Sequence, residues 1–156
     1  MFEIERKFLV DTIDFIDGLD GERLRQGYLA SSERATVRVR IGAERAWLTI
    51  KGRKKGISRA ELEYEIPRVD AEFCLEHLSD GALIDKTRYR VPHGGKSWEV
   101  DVFHGDNEGL VIAELELERE DEAFERPPWL GSEVSGDRRY YNASLAVHPY
   151  RDWESH

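Results

Sequence analysis

Apolar and polar residues alternate with period two in stretch after stretch of this chain, as in strands whose two faces meet different surroundings. In 2–9, Phe2, Ile4 and Phe8 point one way with Arg6 among them, while Glu3, Glu5 and Lys7 point the other. In 36–41, Val37, Val39 and Ile41 oppose Arg38 and Arg40, and in 46–51 Leu48 and Ile50 oppose Trp47, Thr49 and Lys51. In 60–66, Leu62, Tyr64 and Ile66 oppose Glu61, Glu63 and Glu65; in 86–91, Tyr89 and Val91 oppose Lys86, Arg88 and Arg90. In 97–103, Trp98, Val100 and Val102 oppose Glu99, Asp101 and Phe103. In 111–118, Val111, Ala113, Leu115 and Leu117 oppose Ile112, Glu114, Glu116 and Glu118. A shorter segment, 24–30, sets Gln26 beside Tyr28 and brings the strands to about eight.

The connections suit a mainly antiparallel sheet. Pro92-His93-Gly94-Gly95 and the stretch from Gly105 to Gly109 are turn sequences between adjacent strands, and 52–58, GRKKGIS, is a basic loop flanked by glycine. Helical signals are fewer. A short helix is expected over 12–19, and a longer one over 71–80 with Asp70 as N-cap and Gly81 beyond its end. Another is expected over 120–126, halted by Pro127-Pro128, and a last over 138–147 with Asp137 as cap. The tail beyond Pro149 is expected to be loosely held. No linker or repeat interrupts the chain, so 1–156 reads as one α+β, mainly β, domain.

Composition sharpens this picture. A length of 156 residues can bury a core without staples, and 35% charged residues is a heavy load for a globular chain. The net charge of −9 argues against a stable nucleic-acid partner or an anionic membrane surface. No apolar run reaches membrane-spanning length, and the start, MFEIERKFLV, lacks the form of a signal peptide. Cys74 is the single cysteine, which points to a reducing, cytoplasmic setting.

The charges themselves are ordered. Those on the polar strand faces are almost all Glu, Lys and Arg, grouped by sign: bases at 38–40 and 86–90, acids at 61–65, 99–101 and 114–118. Within a strand, residues i and i+2 lie about 6.5–7 Å apart on one face. A half-solvated sheet explains any one strand, but like charges repeated at that spacing repel, and solubility alone gains nothing from them. An eight-stranded sheet can close, turning one face into an interior. A charged interior must hold water, cations and a polyanion, because uncompensated buried charge is prohibitive. Acids that hold hard divalent cations beside bases that hold phosphate oxygens are the equipment of phosphoryl transfer.

In order along the chain, the motifs are EIERK at 3–7, QGYL at 26–29, VRVR at 37–40, LTIKG at 48–52 and ELEYE at 61–65. They continue with KTRYR at 86–90, EVD at 99–101, ELELE at 114–118 and EVSGDRRYYNASLA at 133–146. Together they resemble the CYTH superfamily, the triphosphate tunnel metalloenzymes, over essentially the whole chain. The resemblance implies an eight-stranded antiparallel β-barrel forming a charged tunnel, with helices outside it. It also implies a triphosphatase dependent on Mg²⁺ or Mn²⁺, most simply one splitting inorganic tripolyphosphate into pyrophosphate and phosphate. Alternatives within it are a class IV adenylate cyclase and a thiamine or nucleoside triphosphatase; a non-catalytic module that binds polyphosphate or nucleotide is a further one.

Carried over by position, Glu3, Glu5, Glu114 and Glu116 would ligate metal, with Asp101 and Glu63 as further ligands or close neighbours. Lys7, Arg38, Arg40, Lys51, Lys86 and Arg88 would bind the phosphate chain. A second metal, held partly by Glu5 and Asp101, would activate the attacking water. Glu5, Lys7, Asp101 and Tyr28 are thus the catalytic candidates, Tyr28 with a packing role as its other reading. The partner is a small polyanion; a homodimer is left open.

Other signals carry less. HGGKS at 93–97 ends like a phosphate-binding loop, but the required first glycine falls at Arg90 and the segment sits in a hairpin. The histidines lack ligand spacing, and Cys74 lacks the setting of a nucleophile. Trp47, Trp98, Trp129 and Trp153 are read as packing residues. Asn142-Ala143-Ser144 matches a glycosylation sequon that has no meaning in a cytoplasmic chain; Lys54 and Lys55 read as a solvated basic turn, with recruitment of polyphosphate at the tunnel mouth as their other reading.

Overall fold

The structure is a computed structural model and describes residues 1–153. Nine strands form it: β1 (Phe2–Val10), β2 (Gly21–Ser31), β3 (Ala35–Ile41), β4 (Ala46–Gly52), β5 (Ser58–Ile66), β6 (Asp80–His93), β7 (Lys96–Phe103), β8 (Val111–Glu116) and β9 (Leu130–Glu133). Two helices join them, α1 (Arg68–His77) and α2 (Asn142–Val147). The order is β5-β4-β3-β2-β6-β7-β8-β1-β9, and an added β1–β5 pairing closes the first eight into a barrel. Every pairing is antiparallel. The expected α+β, mainly β, barrel is therefore present, with β9 as an extra strand on the far half of β1. No helix of the described residues is long and apolar enough to cross a membrane.

Alternation places two of the three core clusters outside the barrel wall. Phe8, Trp98, Val100, Ala113 and Leu115 are buried on the outer face, beneath Leu117, Trp129 and Leu130 of the segment that crosses it. Val39, Ile41 and Ala46 of β3 and β4 pack against Ala71 and Leu75 of α1. A third cluster lies on the inner face instead: Tyr28, Ile84, Phe103 and Ile112, on the same side as Lys86 and Asp101, meet Leu145 and Ala146 of α2. At the β6–β7 turn, Gly94 and Gly95 have φ of +59° and +76°, the pair of positive values that a two-residue hairpin requires. Gly81 is fixed twice over: its φ is +72°, and a Cβ there would stand 2.8 Å from the Ala146 carbonyl oxygen.

Several expected helices differ. Residues 12–19 give only a 3-10 turn at Asp14–Ile16. The 71–80 helix begins earlier, at Arg68, because Pro67 supplies a fixed φ of −59° and Asp70 lies in the first turn rather than at the cap. No helix forms over 120–126. There the Glu122 carboxylate accepts from the Glu118 N–H at 2.7 Å and pairs with Lys96, and Phe124 packs edge-on against Phe8 and Trp98. The 138–147 helix is split into a 3-10 turn at Arg138–Tyr140, which Asp137 caps through the Arg139 N–H, and then α2. The tail is not loose as far as Trp153. That ring is 9% exposed, donates from Nε1 to the His148 carbonyl at 3.3 Å and meets Tyr140 and Tyr150 edge-on.

Candidate active site

Pairing brings the polar faces together. Across β3, β4 and β5, Arg38 lies beside Thr49 and Thr49 beside Glu63; one step along, Thr36, Lys51 and Glu61 align. Across β6, β7 and β8, Arg88 faces Asp101, and Arg90, Glu99 and Glu114 align. β1 closes the ring with Glu5 opposite Glu116 and Lys7 opposite Glu114. These side chains surround an interior cavity of about 350 Å³. All the carried-over candidates line it except Asp101.

Asp101 sits behind that lining, fully buried. Arg88 grips it bidentately, Nε at 2.7 Å and Nη2 at 2.9 Å, and Lys86 Nζ stands 2.8 Å away. Burial would raise its pKa, but Arg88 and Lys86 outweigh burial and hold it at about 2. Lys86 shows the reverse balance. It is 1% exposed, and burial, helped by Arg88 and Arg40, lowers its pKa despite Asp101. Arg40 is lowered in the same way, by burial and then by Arg38 and Arg88. Arg38 is 6% exposed; its Nη2 contacts Thr49 Oγ1 at 3.2 Å and its buried Nε has no hydrogen-bond partner among the described residues. Bases are thus crowded along one wall: Lys86 and Arg40 are held low, while Arg88, despite its burial, is raised by Asp101 and Glu99.

The opposite wall has too little cation. Like charges directly across a ladder repel, and two such pairs occur here, Glu5 with Glu116 and Glu99 with Glu114. Burial, then Glu114 and Glu3, push the Glu5 carboxyl up to about 8, so it keeps its proton at neutral pH. Glu114 is driven well below its ordinary value: Lys7, Arg88 and a hydrogen bond from Glu5 overcome its burial. The two behave as one proton-sharing pair. Glu3 is held at about 2 because Lys51 and Arg59, each 2.9 Å from its Oε1, offset burial. No three His, Cys, Asp or Glu side chains among the described residues converge as a ready-made ligand cage. The donor set nevertheless suits a divalent cation: it is all oxygen, and Glu5 and Glu116 stand directly opposite each other where a cation would relieve their repulsion.

Four further side chains complete the site. Asn142, dismissed as a sequon residue, opens α2 and offers Oδ1 to Lys86 Nζ at 2.9 Å and to Gln26 Nε2 at 3.1 Å. Gln26 in turn accepts from Arg40 Nε at 2.8 Å and lies 3.4 Å from the Tyr28 hydroxyl. Arg59 lies one step before the acidic run of β5, where the alternation begins, and holds Glu3. Lys54, read as a solvated turn residue, is half-buried over the Tyr141 ring, 4.5 Å from its centre. The Asn142 and Lys54 contacts join segments too distant in sequence for periodicity to relate.

The CYTH domain model matches residues 1–144. An inorganic triphosphatase of Acetivibrio thermocellus is 45% identical over 152 residues, 97% of this chain and 97% of that protein. An inorganic triphosphatase of Nitrosomonas europaea is 41% identical over 153 residues, 94% of this chain and 98% of its own. Among solved structures, the crystal structure of the inorganic triphosphatase NE1496 has a TM-score of 0.67 at 38% identity, covering 93% of this chain and 97% of the other. A putative adenylate cyclase from Bacillus halodurans, 16% identical with a TM-score of 0.59 over 76% of this chain and 81% of its own, shares the fold alone. With acids and bases facing each other inside a closed eight-stranded barrel, and with these matches spanning nearly its full length, the chain belongs to the CYTH domain family.

Proposed function

We propose that this chain, as one CYTH domain over 1–156, is a divalent-metal-dependent triphosphatase that hydrolyses inorganic tripolyphosphate inside its barrel. The observation that carries the proposal is the split interior: bases of β3 and β6 share one cavity with a carboxylate cluster in which Glu5 stands directly opposite Glu116. A polyanion answers the first and a cation the second. The relatives named inorganic triphosphatase, at 45% and 41% identity, support the choice of substrate.

Lys7, Arg38, Arg40, Lys51, Lys86 and Arg88 take the phosphate oxygens, Arg through two-pronged contacts and Lys as a point charge. Asp101 holds Arg88 and Lys86 in position rather than touching substrate, and Asn142 fixes Lys86 from the other side. Tyr28, 9% exposed on the cavity wall, would donate to a phosphate oxygen or to water. Glu3, Glu5, Glu114 and Glu116, with Glu63 nearby, would hold Mg²⁺ or Mn²⁺, which neutralises phosphate oxygens and makes a bound water more acidic. Water's oxygen bonds to the terminal phosphorus, the bridging P–O bond breaks and pyrophosphate leaves, with orthophosphate and a proton released.

The test is phosphate release from tripolyphosphate, ATP and thiamine triphosphate with Mg²⁺, with Mn²⁺ and in chelator. Tripolyphosphate should be the preferred substrate, and chelator should abolish turnover. Equal turnover of ATP would overturn the inorganic specificity, and cyclic AMP formed from ATP would replace hydrolase by cyclase.

A further inference from the structure

Outside the barrel interior lies a second cavity, of about 550 Å³, and the two share Thr36, Arg59 and Tyr141 in their walls. One side of it is the β4–β5 loop with Arg53 and Lys54; the other is the segment that leads into α2, with Arg138. Among the described residues no carboxylate pairs with Arg53, Lys54 or Arg138, although neighbouring Arg59 is held by Glu3 and Arg139 by Asp137. In a chain of net charge −9 such a gathering of unpaired cations is unexpected. Among the described residues Glu33 is the single acidic one on the cavity wall. Arg53 and Arg138 are both exposed, and the fold sets these two guanidinium groups on the wall of one cavity although they lie some eighty residues apart in the chain. Lys54, over Tyr141, stands at the boundary between the two spaces. A cation–π contact of that kind is worth about 1 kcal/mol, weak enough to give way to a stronger anion.

We propose that this outer cavity is a second oxyanion site, taking a phosphate group outside the barrel with Arg53 and Arg138 as its guanidinium donors and Lys54 at its inner edge. Guanidinium groups present paired N–H donors that match phosphate oxygens, and a hollow shared with the barrel gives such a group a way in. The phosphate has two sources: orthophosphate leaving after hydrolysis, or the distal phosphate of a chain longer than tripolyphosphate. Both sources rest on the triphosphatase reading, whereas binding itself does not.

The experiment compares wild type with the Arg53→Ser/Arg138→Ser double variant. Radiolabelled orthophosphate is titrated by equilibrium dialysis, with and without imidotriphosphate present to fill the barrel. Wild type should bind one phosphate with the barrel filled, and the double variant should bind it at least tenfold more weakly while keeping its melting temperature and its kcat/KM for tripolyphosphate within about twofold. Equal phosphate binding by the two proteins, or none in wild type, overturns the site. A rise in the orthophosphate inhibition constant of the double variant identifies product in transit. A selective fall in kcat/KM for tetrapolyphosphate identifies the longer chain, and a site that affects neither has no role in the reaction. If imidotriphosphate does not bind, the triphosphatase reading fails, and the unblocked titration still decides the outer site.

Discussion

Two carboxylates of the barrel interior respond to removal of charge in opposite directions. Asp101 neutralises Arg88 and Lys86 from behind the cavity wall, at 2.7–2.9 Å. Breaking such a buried network strands the remaining charges, which typically costs 3–5 kcal/mol, so Asp101→Asn should lose about 3 kcal/mol in urea denaturation. Activity should fall with it, because the two bases lose their orientation. Glu5 is the contrary case. Its folded-state pKa of about 8 lies above the ordinary 4.5, so as pH rises between those values the unfolded chain loses this proton first and stability drains away. In chelator at pH 7, Glu5→Gln should therefore be more stable than wild type by about 2 kcal/mol, an advantage that fades toward pH 4.5. Melting temperatures of both proteins across pH 4–8 check this, and a destabilised variant at pH 7 would refute the repulsion. Glu116→Gln, where Glu3 and Glu99 also raise the carboxyl pKa after partial burial, should likewise lose activity far more than stability.

At the scale of elements, the strands were legible and their ends were not. Period-two alternation located all eight barrel strands because each separates an outer core from a charged interior, a contrast that sequence records directly. It missed β9, four residues long, and it shortened β2 and β6, whose outer ends pair without strong alternation. The expected helix at 120–126 yielded to tertiary contacts of Glu122 and Phe124, which outweigh a weak local preference. The candidate residues were legible for the same reason as the strands, since most sit on the inner faces. Asp101 shares that face and yet is sealed behind Arg88 and Lys86, a difference of depth that alternation does not carry. Asn142 could not be found because it comes from α2, a short helix with no polar periodicity of its own. Its contact makes a prediction: Asn142→Leu removes the acceptor for Lys86 and Gln26 at once. The loss of hydrogen bonds to a buried cation, worth about 1.5–3 kcal/mol, should lower kcat/KM about tenfold. Asn142→Asp, which keeps the acceptor, should recover much of it if positioning of Lys86 is the cause.

For the molecule as a whole, the net charge of −9 and a polyanionic substrate are reconciled by cation binding. The interior holds acids that repel one another and a proton on Glu5 that relieves them. A divalent cation and that proton compete for the same carboxylates, because a carboxylate must be ionised to ligate. Titration of the apoprotein with Mg²⁺ at pH 7 should consequently release close to one proton per site, and at pH 9.5, above the Glu5 pKa of about 8, almost none. Calorimetry in Pipes and in Tris reads this directly. The two buffers have different ionisation enthalpies, so the observed heats should diverge near neutrality, and the proton count they yield should vanish in a pair of alkaline buffers. Glu5→Gln should show no release at either pH. Equal heats in both buffers at pH 7 would mean that the cation enters without Glu5, and that the carboxylates opposite one another on β1 and β8 are held apart by the fold rather than by the metal.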